Sequence, residues 1–84
     1  MERHDEAERL FRQALEIAAK TIGAEHPNYV GGLNNLANLL RDMGRYDEAE
    51  RLFRQALEIG KKTIGAGHPN YAVLLNNLAN LLRD

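Results

Sequence analysis

The chain consists of two near-identical halves of 42 residues, and this repetition constrains the fold more than any other feature. Comparing each residue with the one 42 positions later gives 34 identical pairs out of 42, so residues 1–42 and 43–84 form consecutive repeats. A repeat of this length is one supersecondary unit, which buries its apolar face against neighbouring units rather than within itself. We therefore expect residues 1–84 to form one domain of two stacked units.

The first half of each repeat is predicted to form a helix. Residues 5–22, and again 47–64, carry apolar side chains three and four positions apart along one broad face. Asp5 and Asp47 are each followed three residues later by a glutamate, a spacing that predicts an N-terminal capping box. A glycine at the end of each segment predicts a left-handed stop.

A second helix is predicted to begin at the His-Pro pair of each repeat. Pro27 and Pro69 suit the first helical turn, because the amide proton that proline lacks would be unpaired there. Gly44 ends the helix of the first repeat, and a short turn then leads into the next helix. The chain shows no strand pattern. The sequence therefore predicts an all-α fold of four helices arranged as helical hairpins.

A set of leucine, alanine, glycine and aromatic residues matches the order and spacing of the tetratricopeptide repeat signature. The unit of 42 residues is longer than the usual repeat of about 34 residues, and with its GRYDEAE and HPNY elements it resembles the repeats of kinesin light chains. The resemblance implies an α-solenoid fragment with right-handed superhelical packing. It also implies a concave groove that binds extended peptides or helices of partner proteins. The matching residues are Leu33, Leu36, Ala37, Leu40, Gly44, Tyr46, Ala49, Phe53 and Ala56.

Polar side chains lie opposite the apolar face of the second helix in each repeat, where the resemblance implies the groove. An asparagine amide both donates and accepts hydrogen bonds, so a row of them suits pairing with an extended peptide backbone. The alternative is a polar helix face that contacts only solvent. Asn35 and Asn77 lie nearer the edge and are expected to bond to the adjacent helix. The candidate groove residues are Asn34, Asn38, Arg41, Asn76, Asn80 and Arg83.

The two repeats differ where this second helix starts. Residues 30–32 read Val-Gly-Gly, whereas residues 72–74 read Ala-Val-Leu. Each helix-interior glycine destabilises by ~1 kcal/mol relative to alanine, so replacing Gly31 and Gly32 by valine and leucine is predicted to stabilise the chain. Gly31 also predicts a hollow in the groove where Val73 fills the equivalent space, although unselected sequence drift is an alternative explanation.

His26 and His68 raise the possibility of a metal site. Equivalent residues in stacked repeats lie on the order of 10 Å apart, too far to bind one ion together, and no third ligand is nearby in sequence. We interpret both histidines as helix-entry residues and predict no metal and no cofactor.

The order of the helices predicts self-association. In the usual hairpin the groove helix comes first, whereas this chain begins with the second type of helix, so both end helices present apolar faces without a polar cap. The two faces are complementary, which favours a homo-oligomer assembled head to tail. A two-fold or domain-swapped dimer is the rival arrangement. The residues expected on these faces are Leu10, Phe11, Leu15, Leu78, Leu81 and Leu82.

Composition argues against several other classes of function. A net charge of −1 gives no reason to expect nucleic acid or an anionic membrane as partner, and there is no cysteine for disulfides or a thiolate metal site. We find no nucleophile–base pair and no phosphate-binding loop, so the chain is not expected to be an enzyme. The sequence favours a cytoplasmic protein-interaction scaffold. The alternative is a purely structural, trimmed or engineered self-assembling repeat unit without a peptide ligand.

Overall fold

The computed structural model of the chain describes residues 3–83, and four helices account for most of them. In chain order they are α1 (His4–Thr21), α2 (Pro27–Asp42), α3 (Tyr46–Thr63) and α4 (Pro69–Arg83). No strand occurs within this range. The predicted all-α fold with two helices in each repeat is confirmed.

The helices α2 and α4, which carry the predicted groove residues, begin where the sequence predicted. Pro27 is the first residue of α2, and the Nδ1 atom of the preceding His26 accepts a hydrogen bond from the Asn28 amide at 3.0 Å. His68 caps α4 in the same way, accepting from the Asn70 amide at 3.0 Å. The imidazole thus pairs an amide that the first helical turn leaves without an intrahelical partner.

The starts of α1 and α3 differ from the prediction. Both helices begin one residue early, and neither N-cap residue, Arg3 or Arg45, makes a side-chain capping bond. Asp5 and Asp47 lie inside the first turn rather than at the cap, so the predicted capping boxes are wrong. Their carboxylates still sit at the positive end of the helix dipole, which explains why acidic residues are suited to these positions.

The helices pack in two layers. α2 contacts both α1 and α3, α3 also contacts α4, and α2 lies beside α4 in the same layer. The molecule measures 36 × 33 × 17 Å, and its shortest dimension matches two layers of helices about 8–10 Å apart. None of the helices within residues 3–83 is long and apolar enough to cross a membrane. The layer of α2 and α4 carries the predicted groove residues.

The core is centred where α2 packs on α3, a contact that we call the inner junction. Phe53 of α3 is fully buried there, in one cluster with Leu40 of α2. Small side chains on α3 let the two helices approach closely, since each alanine adds little bulk to the contact. The inner junction consists of Val30, Leu33, Ala37 and Leu40 from α2 and Ala49, Phe53 and Ala56 from α3.

Candidate functional site

A hollow of about 560 Å³ lies between the N-terminal halves of α2 and α4. Its apolar part is formed mainly by aliphatic side chains, including Ile64 from the end of α3. Four of its lining residues are asparagines, and no charged residue lines it. A cavity of this size and mixed lining fits an uncharged segment with an apolar side chain. The lining residues are Pro27, Asn28, Val30, Gly31, Gly32, Asn34, Asn35, Ile64, Asn70, Val73 and Leu74.

The two adjacent glycines in α2 have different surroundings. A Cβ atom at Gly31 would meet no atom within 4 Å, so this residue opens the hollow as the sequence predicted. A Cβ atom at Gly32 would lie 2.8 Å from Cδ2 of Leu15, which occupies the space that a side chain at 32 would need. That valine and leucine at these positions stabilise the chain stays a prediction, and at Gly32 it requires the end of the Leu15 side chain to shift. Leucine there would displace a side chain packed on the core.

One pair of asparagines joins the two groove helices directly. The Asn77 side-chain amide of α4 donates to Oδ1 of Asn34 on α2 at 2.8 Å. This confirms that Asn77 bonds to an adjacent helix. Oδ1 of Asn34 is therefore used in a contact between α2 and α4. Asn35, the counterpart of Asn77, is exposed and lines the hollow instead.

The other predicted groove residues lie further along the helices. Asn38 and Asn80 are half-buried one turn after Asn34 and Asn76, and Asn76 is exposed. Arg41 follows on the same face of α2, where its Nε atom is 3.8 Å from an oxygen of Asp42, and Arg83 occupies the equivalent place on α4.

Among the predicted groove residues, Asn34 lines the hollow. The sequence interpretation missed three hollow-lining asparagines, one of which it had assigned to an edge contact. Two belong to the repeated HPNY motif, which puts an asparagine at the second position of each groove helix, and that repetition was the signal available. The three residues are Asn28, Asn35 and Asn70.

The two histidines of the HPNY motif lie at helix starts. His26 and His68 use their Nδ1 atoms as helix caps, as predicted for helix-entry residues. Residues 3–83 contain no cluster of three or more histidine, cysteine or acidic side chains placed to hold a metal ion.

Four charged side chains form a closed ring that links α1 to the start of α3. Glu8 accepts hydrogen bonds from Arg12 at 2.9 Å and from Arg45 at 2.7 Å. Glu48 accepts from Arg45 at 2.6 Å and also from Arg12, so each glutamate bridges both arginines. We call this set the ion-pair ring. It joins the two repeats on the side of the molecule opposite the groove layer.

The ring lowers the pKa of both its glutamates. The hydrogen bond from Arg45, followed by that from Arg12, holds the pKa of Glu8 below its usual value. For Glu48 the Arg12 bond has the larger effect, and Arg45 adds to it. Hydrogen bonds to a carboxylate favour its charged form, which explains the direction of both shifts.

The predicted self-association residues fall into two groups. Leu10 on α1 and Leu82 on α4 are 59% and 56% exposed, as expected for faces without a neighbouring helix. Leu78 and Leu81 are buried in the core with Phe53. Their expected position on an uncovered face is wrong, because these leucines point back toward α3. Phe11 and Leu15 are half-buried and also pack against the core.

The apolar side chains that the uncovered face of α4 does present repeat those of the inner junction. We call this the tail face, and the corresponding surface of α1 the head face. The tail face consists of Ala72, Leu75, Ala79 and Leu82, all exposed. The head face consists of Ala7, Leu10, Phe11, Ala14 and Ile17, which are exposed or half-buried.

Comparison with known proteins agrees with this architecture. A sequence model described as tetratricopeptide repeat matches residues 31–84, and a second model with the same description matches residues 1–28. No curated protein matches the chain. Since the first model covers more than half of the chain, the chain belongs to the tetratricopeptide repeat family, whose members are non-enzymatic repeat scaffolds for protein–protein interaction.

Proposed function

We propose that the chain is a protein-interaction scaffold that binds an extended segment of a partner protein in the groove between α2 and α4. The observation that carries the proposal is the uncharged hollow at Gly31, which is large enough for an apolar side chain and bordered by amides. The family supports an interaction role in general. The groove geometry supports this particular mode of binding.

The polar border of the hollow suits the backbone of the bound segment. Asn35 and Asn70 line the hollow and are exposed, and neither side chain makes a hydrogen bond within residues 3–83. Each amide can donate and accept, which matches the alternating donors and acceptors of a peptide backbone. An apolar side chain of the segment would contact Val30 and Leu74. The half-buried Asn38 and Asn80 would extend the polar track toward the other end of the groove.

Selection from a displayed library of random peptides, followed by titration of the selected peptides, tests this proposal. Gly31→Val places a side chain in the hollow and is expected to weaken binding by about tenfold or more, since a displaced apolar contact is worth roughly 1.5–3 kcal/mol. Asn38→Ala with Asn80→Ala is expected to weaken binding less. The matched control is Gln13→Ala with Gln55→Ala, which removes two exposed amides from α1 and α3.

The outcomes separate the groove from its alternatives. Peptides that lose affinity for Gly31→Val but bind the glutamine control normally would support the groove. Peptides that bind both variants equally would place the site elsewhere. A library that yields no binder would favour the alternative of a purely structural repeat unit.

We also propose, as a second function, that the chain associates with itself through the head and tail faces. The observation that favours this is the exposure of Leu75 and Leu82, whose counterparts in the inner junction, Leu33 and Leu40, are buried. Leu10 of the head face is exposed as well. Full burial of an exposed leucine contributes about 1.5–3 kcal/mol. These leucines have roughly half of their surface left to bury, so several of them at one interface can offset the entropy lost on association. A contact between unlike faces continues from copy to copy and gives rings or filaments.

Sedimentation velocity over a concentration series tests the self-association. Leu82→Lys is expected to shift the chain to monomer, because a charge would be buried at the interface. The matched control is Val73→Lys, an equally exposed position of α4 that lies about 180° around the helix. Wild-type protein that stays at 9.5 kDa at every concentration would contradict the proposal. Equal dissociation by both lysines would show that the tail face is not the contact.

A further inference from the structure

The two halves of the ion-pair ring recur separately at the two ends of the molecule. Glu8 and Arg12 have their counterparts in Glu50 and Arg54, 42 residues later on α3, and this pair has the same bond at the same 2.9 Å. Arg45 and Glu48 have theirs in Arg3 and Glu6, 42 residues earlier at the start of α1.

This second pair is also already formed. Arg3 Nη1 donates to Oε1 of Glu6 at 3.2 Å. Each end of the molecule therefore carries half of a ring, already paired between residues three or four positions apart, and the two halves are complementary.

We propose that a second copy of the chain docks head to tail on the first, and that a ring of Glu50 and Arg54 with Arg3 and Glu6 of the next copy sets the register. This inference rests on the proposed self-association and specifies its orientation. The inner junction supplies the template: Arg54 would bond to Glu6 of the next copy as Arg12 bonds to Glu48. Glu50 would accept from the next copy's Arg3 as Glu8 accepts from Arg45.

The apolar contact beneath this ring matches as well. Leu33 and Leu40 of α2 are 2% and 0% exposed because α3 covers them, whereas Leu75 and Leu82 are 48% and 56% exposed. The side chains that cover α2 are alanines and a phenylalanine of α3, and α1 carries the same residues at the same spacing. The head face of a second copy would therefore cover α4 with the same alanine and phenylalanine side chains with which α3 covers α2.

The amide pair of the groove points to the same register. Asn77 of the second repeat donates to Asn34 of the first. In a head-to-tail contact the corresponding residues are Asn76 and Asn35 of the next copy, and both are exposed in the single chain. Charge order, apolar spacing and amide pairing thus all select a second copy, in one orientation, as the occupant of the tail face.

Charge-swapped variants test the inference without changing net charge. The tail swap is Glu50→Arg with Arg54→Glu, and the head swap is Arg3→Glu with Glu6→Arg. Either swap alone sets like charges against each other across the contact. We expect association to weaken by on the order of tenfold in each swap at low salt, and by less in about 0.5 M sodium chloride.

Mixing the two swapped chains gives the sharpest result. A swapped tail complements a swapped head, and the remaining wild-type tail complements the remaining wild-type head, so the mixture should associate as strongly as wild type. The chain carrying both swaps should also recover. The control is Glu16→Lys with Lys20→Glu, another exposed pair four residues apart on α1, which should leave association unchanged.

The outcomes distinguish this inference from the self-association on which it rests. Wild-type protein that is monomeric at every concentration contradicts self-association, and the ring with it. Wild-type protein that associates while both swaps associate equally well retains self-association but rules out the ring. A mass that plateaus at two copies with no effect of either swap identifies a two-fold dimer and overturns the head-to-tail register. Recovery on mixing supports the proposal.

Discussion

The α2 side of the inner junction and the tail face of α4 are made of nearly the same residues, yet the first is buried and the second is exposed. Leu40 has no accessible surface in the inner junction, whereas its repeat Leu82 is more than half exposed. The two residues have the same neighbours in sequence except for small differences near residues 30–32. Burial in a repeat protein therefore depends on whether the next unit is present, which is the property expected of a solenoid.

The residues of the head face are also more exposed than their counterparts in α3, but the difference is smaller than for the tail face. Ala56 of α3 is completely buried, whereas its repeat Ala14 of α1 is exposed. Phe53 is fully buried, and its repeat Phe11 remains half-buried because it also packs on the core. The head face thus retains part of its apolar contact without a partner. We infer that the absence of a neighbouring unit exposes more apolar surface on α4 than on α1.

The largest expected effect is the difference in the free energy of unfolding between alanine substitutions at Leu40 and at Leu82. Leu40→Ala removes a fully buried side chain and is expected to lower the free energy of unfolding by about 2–5 kcal/mol. Leu82→Ala removes the same atoms from an exposed site, and at low concentration its effect should stay within about 0.5 kcal/mol. Urea unfolding followed by circular dichroism measures both values. Equal losses would show that the tail face is already covered in solution.

The repeat made the architecture predictable from sequence. Self-similarity fixed the number of helices, and two strong local signals, the His-Pro entries and the stop glycines, fixed most of their ends. Gly23, Gly44 and Gly65 all have φ between 81° and 94°, a region in which other residues are strained. These features depend on a few adjacent residues, so they are visible without knowledge of the packing.

The missed details depend on contacts between distant residues. Leu78 and Leu81 belong to the same broad apolar face of α4 as Leu75 and Leu82, and the position of α3 decides which of them are buried. Asp47 carries a capping-box spacing, but the helix starts earlier, and Glu48 of the same turn is drawn into the ion-pair ring. Spacing indicates that a helix has an apolar face. It does not indicate which edge of a broad face meets a neighbour.

A second prediction uses the adjacent glycines of α2, which share a helix but differ in surroundings. Gly31→Ala is expected to raise the free energy of unfolding by about 0.5–1 kcal/mol, because alanine favours the helix and its Cβ meets open space. Gly32→Ala is expected to gain less or to destabilise, since Leu15 must move away. A change of 1 kcal/mol corresponds to roughly 4–8 °C in melting temperature for a domain of this size.

The same pair shows why the groove was only partly predictable. Comparing Gly31 with Val73 indicated that Gly31 leaves room in the groove. The close approach of Leu15 to Gly32 depends instead on how α1 packs on α2. A related contact occurs in the other repeat. There a Cβ at Gly60 would lie 3.2 Å from Cδ1 of Leu74, the residue that replaces Gly32. Two of the differences between the repeats, at 18/60 and 32/74, therefore meet at one contact in the second repeat.

The smallest expected effect concerns the ion-pair ring and its exposed counterpart. Glu8→Gln should lower the free energy of unfolding at pH 7 by less than about 1 kcal/mol, because the arginines of the ring remain largely exposed and screened by solvent. The matched variant Glu50→Gln, which breaks a single exposed pair, should lower it by about 0.3–0.5 kcal/mol.

The pH dependence of this effect distinguishes the ring from simple packing. Folding lowers the pKa of Glu8, so its contribution to stability is fully present above the unfolded-state pKa of about 4.3 and disappears as pH falls through the folded-state value. Urea unfolding of wild type and Glu8→Gln should therefore differ at pH 7 and converge as the pH falls through the folded-state pKa of Glu8. Added salt at pH 7 should also reduce the difference. A difference that is unchanged by acid and by salt would mean that Glu8 acts through side-chain packing, and the inner junction would then hold its two repeats together without help from charge.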